Sequence, residues 1–417
     1  MVSKWRWQLL QLSRKLWVRT VAFAVLALLS ALVAALVQGL IPDTLADLIG
    51  AGAAEKILTI LASSMLTVTT FSLSVMIAAF SASTNSVSPR ATRLLMEDTT
   101  THNALATFVG SFLFSIVSII LLNTQIYNQR GEVVLFLTTI LVIALIVFTM
   151  LVWIGHLSGL GRVGETANLV EDKAYKALKA CIAKPWLGAN PLLALTALPA
   201  DAKPVLSSNI GYIQHVDIKA INSWASRNKC QVYVVVRAGV FATPNRPLLW
   251  VQGAADNSTD GLLNAFTIND FRSFDQDPRF GLLVLAEIAS KALSPAVNDP
   301  GTAIEIIGRG ARVLSNWQPE NTASIQVEYP QVWQIGLELG DMFDDFFMPI
   351  ARDGATMLEI HIRLQKSFIM LASISTDLRL HAQRHSSAAL ARAEQAMVYI
   401  DDIKQLKQLH RQLLDSV

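Results

Sequence analysis

Between residues 56 and 88 of this 417-residue chain, hydroxyl side chains recur at helical spacing inside an apolar run. At about 100° per residue, Lys56, Thr59, Ser63, Thr67, Thr70, Ser74, Ser81, Asn85 and Ser88 fall within about 40° of one line. Ile77 and Ala78 interrupt the line, and Ser64, Thr69, Ser72 and Ser83 lie off it. Two kinds of chemistry suit such a stripe. The hydroxyls can bond back to the carbonyl four residues earlier while their small size lets a neighbouring helix approach. Alternatively, several copies of the segment surround an axis and the hydroxyls line a hydrated path for ions. The second reading requires an oligomer, because four helices per subunit are few for a self-contained pore. Lys56 would then stand at the outer mouth and favour anions, although Glu55 beside it opposes that preference.

A second polar set falls within residues 271–314. Asp277–Pro278 and Asp299–Pro300 each open an apolar periodic run, with Asp as cap and Pro at the first helical position. The expectation is a helical hairpin. Arg272, Gln276, Ser294 and Asn298 add polar groups around the same helix ends. Free N–H groups at helix starts attract anions, but the two aspartates would repel one. A contact between subunits, or between domain and membrane, is therefore expected in preference to a ligand site. His381 and His385 stand four apart without a further ligand nearby, so a solvated helix face is expected rather than a metal. His361 is read as a surface or packing residue. Asp341, Asp344 and Asp345 lack the spacing of a calcium loop and are read as a charge cluster at a helix start. No GxxxxGK[ST], GxGxxG or CxxC motif occurs, and no nucleophile–base pair can be named. The expectation is a non-enzyme with no cofactor and no metal.

These residues depend on two very different kinds of element. Charged residues make up 16% of the chain, below the roughly 25% of a soluble domain, and they are concentrated after residue 160. Before it, segments 20–41, 57–81, 104–125 and 133–155 each approach or exceed the ~20 residues needed to cross a bilayer. The first is too long for the apolar core of a signal peptide and is read as an uncleaved anchor. No Asp, Glu, Lys or Arg stands in mid-span, which argues against a proton relay. His156, near the inner end of the fourth span, is given no role. Ser111, Ser115 and Ser118 share one side of the third span with Gly110 adjacent, a close-packing pattern read as docking on the second span.

Basic residues set the expected orientation. Lys4, Arg6, Arg14, Lys15 and Arg19 precede the first span, Arg90 and Arg93 separate the second and third, and Arg162, Lys173, Lys176 and Lys179 follow the fourth. Both termini are thus expected in the cytoplasm. Cys181 and Cys230 fit the same reducing compartment. Trp5, Trp7 and Trp17 among the basic residues of 1–19 suggest a helix lying on the inner leaflet. A net charge of +2 gives no pull toward nucleic acid. The expected partners are membrane lipid, further copies of the chain and inorganic ions.

The expected fold is a membrane α-helical domain of four spans over 20–157, followed by an α/β (α+β) cytoplasmic domain with a long helical C-terminal region. Residues 158–209 form a connector, helical over 158–184 and a proline-rich ordered loop over 185–209. Residues 210–340 form the α/β module with the helical hairpin. In it GYIQHVDI and QVYVVVRAG read as strands, KAINSWASRN as a helix, and VFATPNRPLLWVQ as two strands about a turn. Residues 341–417 read as two long amphipathic helices.

The stretches SVSPRATRLLMEDTTTHNALATFVGSFLFSIV and FRSFDQDPRFGLLVLAEIASKALSPAVNDPGTA, with GYIQHVDI and VFATPNRPLL between them, resemble the bacterial predicted membrane proteins grouped as domain of unknown function family 2254. The resemblance implies an inner-membrane protein with a helical membrane part and a soluble C-terminal part. It implies no activity and no residue roles. The leading expectation of function is a homo-oligomeric pore or channel lined by the second span. A membrane-anchored ligand-binding or scaffold protein without conduction is the alternative.

Overall fold

The computed structural model describes residues 16–37, 52–96, 98–124, 129–253, 260–317 and 326–415. Most of the expected interfacial helix 1–19 lies outside them. The chain divides into two units. Among the described residues, one comprises 16–85 and 92–165; the other comprises 86–91 and 166–415.

In the first unit α1 spans Leu16–Val37, α2 Ala53–Ser86, α4 Thr99–Asn123 and α5 Gln129–Leu157. Among the described residues these four are long and apolar enough to cross a membrane, over Thr20–Val37, Ala53–Ala82, Thr99–Asn123 and Arg130–Leu157. The short α3, Pro89–Met96, begins with Pro at its first position. Ser88 ends the hydroxyl line by leaving it: it lies beyond α2, and its Oγ accepts from Ala91 N at 3.1 Å as the cap of α3.

The third span packs chiefly on the first, and its contact with the second is smaller. Helix α4 lies chiefly along α1 and also touches α5. Gly110 makes this possible, since a Cβ there would fall 2.4 Å from Phe23 Cδ2. Ser111, Ser115 and Ser118 are buried as expected of a close-packing face. Ser111 and Ser115 donate to Thr107 O at 2.7 Å and Ser111 O at 2.9 Å, so their hydroxyls cost little in apolar surroundings. Serine spacing identifies such a face but carries no information on which helix will meet it.

The second unit continues with α6, Val163–Ala183, most of which belongs to it. A five-stranded sheet has the order β1 (Ala189–Leu192), β8 (Tyr329–Ile335), β4 (Gln231–Val234), β6 (Pro247–Gln252), β2 (Lys203–Leu206). Strands β1, β8 and β4 run parallel, and β6 pairs antiparallel with β4 and β2. A three-stranded antiparallel sheet has the order β5 (Phe241–Ala242), β3 (Gly211–Val216), β7 (Phe266–Asn269). Helix α7, Ile218–Arg227, is capped by Asp217 and buries Ile218, Ile221 and Ala225 with Val232, Val234, Leu249 and Val332 in one core. The region 185–209 is thus not a loop: it supplies both edge strands of the larger sheet. Strands β5 and β6 flank a turn at Asn245, as expected, but they belong to different sheets.

The helical hairpin forms as the sequence predicts. Helix α8 covers Pro278–Ala292 and α9 Pro300–Leu314. The C-terminal region contains four helices rather than two: α10 Leu339–Asp353, α11 Leu358–Ala372, α12 Thr376–Ala396 and α13 Ile400–Asp415. Phe343, Phe346, Phe347 and Phe368 fill the space among them.

Candidate functional site

Helix α2 has two opposite edges of different chemistry. Ala54, Leu58, Leu61, Met65 and Ser72 repeat at intervals of four, three, four and seven and are buried. Leu58, Leu61 and Met65 join a core with Phe108, Phe114, Leu135 and Trp153. Ser72 accepts from Trp153 Nε1 at 3.1 Å, which binds α2 to α5. About half a turn away on the helix wheel, Lys56, Thr59, Ser63, Thr67, Thr70, Ser74 and Ser81 are all exposed. No other described helix of the unit covers them. The side chain of Asn85 lies outside the described residues.

The exposed hydroxyls are oriented. Thr59 donates to Glu55 O at 2.9 Å, Ser63 to Thr59 O at 3.1 Å, Thr67 to Ser63 O at 3.1 Å and Ser74 to Thr70 O at 2.9 Å. Thr70 donates to Leu66 O at 3.1 Å and Thr67 O at 2.9 Å. Each hydroxyl has one proton and two lone pairs. With the proton turned back to the helix, the outward side of the oxygen is an acceptor. The stripe is a ladder of acceptors, flanked by the exposed apolar side chains of Ile60, Leu66, Phe71 and Ile77.

Where α4 begins and α5 ends, the structure brings together residues the sequence reading left apart. Asp98 caps α4, accepting from Thr101 N at 2.8 Å and Thr101 Oγ1 at 2.9 Å. His156 Nε2 lies 3.1 Å from Asp98 Oδ2 and 3.2 Å from Thr101 Oγ1. Burial raises the Asp98 pKa, but the bonds to His156 and Thr101 outweigh it and hold it at about 2. The Asp98–Thr101 spacing is an N-cap signal, whereas the approach of His156 depends on tertiary packing.

The polar set of the hairpin separates into two groups at opposite ends of α8. At its start, Arg272 grips Asp277 with two hydrogen bonds, Nε to Oδ2 at 2.8 Å and Nη2 to Oδ1 at 3.0 Å. Asp277 caps Phe280 N, and Gln276 Oε1 accepts from Val216 N at 3.0 Å. At its other end Ser294 Oγ donates to Lys291 O, Asn298 takes a left-handed backbone (φ 49°), and Asp299 accepts from Thr302 N at 3.0 Å. A 15-residue helix separates the two groups by on the order of 20 Å. They do not form one site. Their bonds close turns and helix starts, and the connector 295–299 is exposed.

The C-terminal polar residues are also occupied structurally. His385 is buried rather than solvated, packed on Phe343, Phe347 and Phe368, with Nε2 3.0 Å from Asp344 Oδ1. Asp341 and Asp345 pair with Arg279, the latter at 2.7 Å, and Asp344 pairs with Arg384 at 2.6 Å. Those bonds explain the acidic run at the start of α10. Among the described residues, no group of three His, Cys, Asp or Glu is placed to hold a metal.

Comparison with known proteins adds membership of a family. Residues 13–370 match the family described as predicted membrane protein (DUF2254). Uncharacterized proteins of Mycobacterium tuberculosis and Mycobacterium bovis are 36% identical over 116 residues, which is 26% of this chain and 22% of theirs. The match thus spans about a fifth of the length of those relatives. No solved structure matches the chain. With 358 consecutive positions covered by one family model, four apolar helices of spanning length and an α/β unit after them, the chain belongs to the DUF2254 family of predicted membrane proteins.

Proposed function

We propose that the protein is a homo-oligomeric inner-membrane ion channel in which copies of α2 surround a hydrated path. The supporting observation is the placement of Thr59, Ser63, Thr67, Thr70 and Ser74, which share the exposed edge opposite the edge that packs on the chain's own helices. An isolated pair of hydroxyls turned to lipid is unremarkable, because each bonds back to the helix. A ladder of acceptors over several turns suits repeated partial replacement of an ion's water shell. Outward lone pairs favour a cation, and this outweighs a single Lys56 beside Glu55. Both termini then face the cytoplasm, as the basic loops require. The protein performs no chemistry of its own in this reading.

The test is conduction by the purified full chain in planar bilayers. Cation-selective single-channel steps are expected, with altered amplitude in Thr67→Val and Ser74→Ala. Silent bilayers from well-folded oligomer would leave the anchored scaffold as the better reading. A monomeric detergent-solubilised particle ends the pore reading directly, since one copy of α2 cannot enclose a path.

A further inference from the structure

The second unit contains a cavity of about 830 Å³ that neither the hydroxyl edge nor the helix caps use. It opens where the parallel part of the large sheet ends. Leu192 ends β1 and Leu193 follows it, Val235 follows β4, and Ile335 with Gly336 closes β8, so three adjacent parallel strands present their carboxyl ends to it. Crevices at that end of a parallel sheet are where α/β folds bind small molecules. The volume falls within the range of about 300–1,000 Å³ that suits a drug-sized ligand.

The backbone of one wall is strained. Trp186 and Leu187 take consecutive left-handed conformations, with φ of 50° and 57°. Such conformations are unfavourable for a residue with a Cβ and collect where a shape is needed. Trp186 stands in the cavity wall and is buried, 1% exposed. Trp317 is also buried at the wall, while Leu193 and Leu380, 76% and 67% exposed, are held there without apolar cover.

The charge of the lining has one sign. Glu338 and Asp377 reach it, with His381 beside them, and no Lys or Arg does. Glu338 occupies the cap position of α10 but makes no capping bond. Asp377 lies in the first turn of α12, whose cap is Ser375. Among the described residues, neither carboxylate is in an ion pair. Burial lowers the His381 pKa, as does Arg384, while Asp344, Asp377 and Glu338 act against them.

From the exposed leucines, the one-signed lining and the position at the strand ends, we infer that this cavity binds a small organic ammonium with an apolar body. The apolar part lies against Leu193 and Leu380 beside Trp317, and the cationic head lies toward Glu338 and Asp377. The two carboxylates suit such a head and disfavour a carboxylate or phosphate of equal size. The inference is independent of conduction.

The test uses the full chain in lipid nanodiscs with 5-fluorotryptophan, the Trp317 resonance being assigned through Trp317→Phe. Hexyltrimethylammonium is expected to shift that resonance saturably, and hexanoate to leave it in place. Glu338→Gln with Asp377→Asn should weaken the binding by about tenfold or more. Leu380→Trp, a change at an exposed position on the wall, should abolish it by filling the space. No saturable shift up to about 10 mM, an equal response to hexanoate, or unchanged binding in the Leu380→Trp protein would each overturn the assignment.

Discussion

Trp153 Nε1 donates to Ser72 Oγ at 3.1 Å within the membrane unit, and Ser72 lies on the edge of α2 opposite Ser63. This bond holds the second span facing one way. An indole N–H in apolar surroundings needs an acceptor, and Ser72 supplies one from a neighbouring helix. Losing one partner of a buried pair costs more than losing both. Ser72→Ala, which strands the N–H, is expected to destabilise the unit by about 1–2 kcal/mol. Trp153→Phe is expected to cost about as much, through lost packing as well as the lost bond. Ser74→Ala, on the exposed edge, is expected to cost under about 0.5 kcal/mol. Reversible unfolding in mixed micelles separates these cases. Equal costs at positions 72 and 74 would mean that α2 faces another way.

Gly110 and Phe23 form the contact that joins the first and third spans. A methyl at position 110 would stand 2.4 Å from Phe23 Cδ2 and 2.5 Å from Cγ, so the ring must move. Gly110→Ala is expected to cost about 1–3 kcal/mol by overpacking. Phe23→Ala alone should also destabilise, by opening a void. Combined, the two changes should cost less than their sum, because the methyl enters the space the ring has left. Additive costs in the same unfolding assay would show that the helices do not meet here.

Asp277 is 2% exposed, and Gly239 gives it room. The backbone at Gly239 has φ +94°, and a Cβ there would lie 2.2 Å from Asp277 Oδ2. Arg272→Met leaves the carboxylate buried without its partner and is expected to cost about 3–5 kcal/mol. Adding Asp277→Asn should recover part of that loss, since an amide can still accept from Phe280 N without a charge to bury. Gly239→Ala should destabilise through both the contact and the backbone. Thermal unfolding followed by tryptophan fluorescence ranks these variants. A double variant less stable than Arg272→Met alone would refute the account.

What the sequence revealed and concealed follows from how local each signal is. The four apolar segments, the caps at Asp277 and Asp299 and the hydroxyl edge are local, and each appears where its spacing predicts. Pro191 and Pro204 made 185–209 read as a loop, yet both stand in β1 and β2 at the two sides of the large sheet, where a missing N–H is tolerated. Strand β8 carries no hairpin signal, because its partners lie about 100 or more residues earlier. The C-terminal breaks at Gly354, Ser373 and Met397 lack a proline, so two helices were expected where four form. His385 looked solvated because its own helix is mostly polar; the phenylalanines that cover it belong to α10 and α11. The polar set at the ends of α8 reads as one cluster only if the length of the helix between its two groups is ignored.

His361 is fully buried, and neither ring nitrogen has a hydrogen-bond partner. Burial, with a smaller effect from Arg392, lowers its pKa to about 4. His385 is lowered to about 4 as well, by burial first and Arg384 second. Both therefore fold neutral, while the unfolded chain takes up a proton on each below about pH 6.5. Stability is fully present above that value and is lost as pH falls toward 4, on the order of 3 kcal/mol for each histidine. His361→Leu removes one of these contributions and an unsatisfied polar ring with it. It is expected to raise stability at pH 5 and to reduce the dependence on pH between 6.5 and 4, with a smaller gain at pH 8. His385→Leu should behave differently, because it also removes the contact to Asp344 Oδ1 at 3.0 Å and leaves that carboxylate to Arg384 alone. Denaturant unfolding of the full chain at several pH values distinguishes the two. A His361→Leu protein with an unchanged pH profile would show that position 361 is charged or solvated in the folded state.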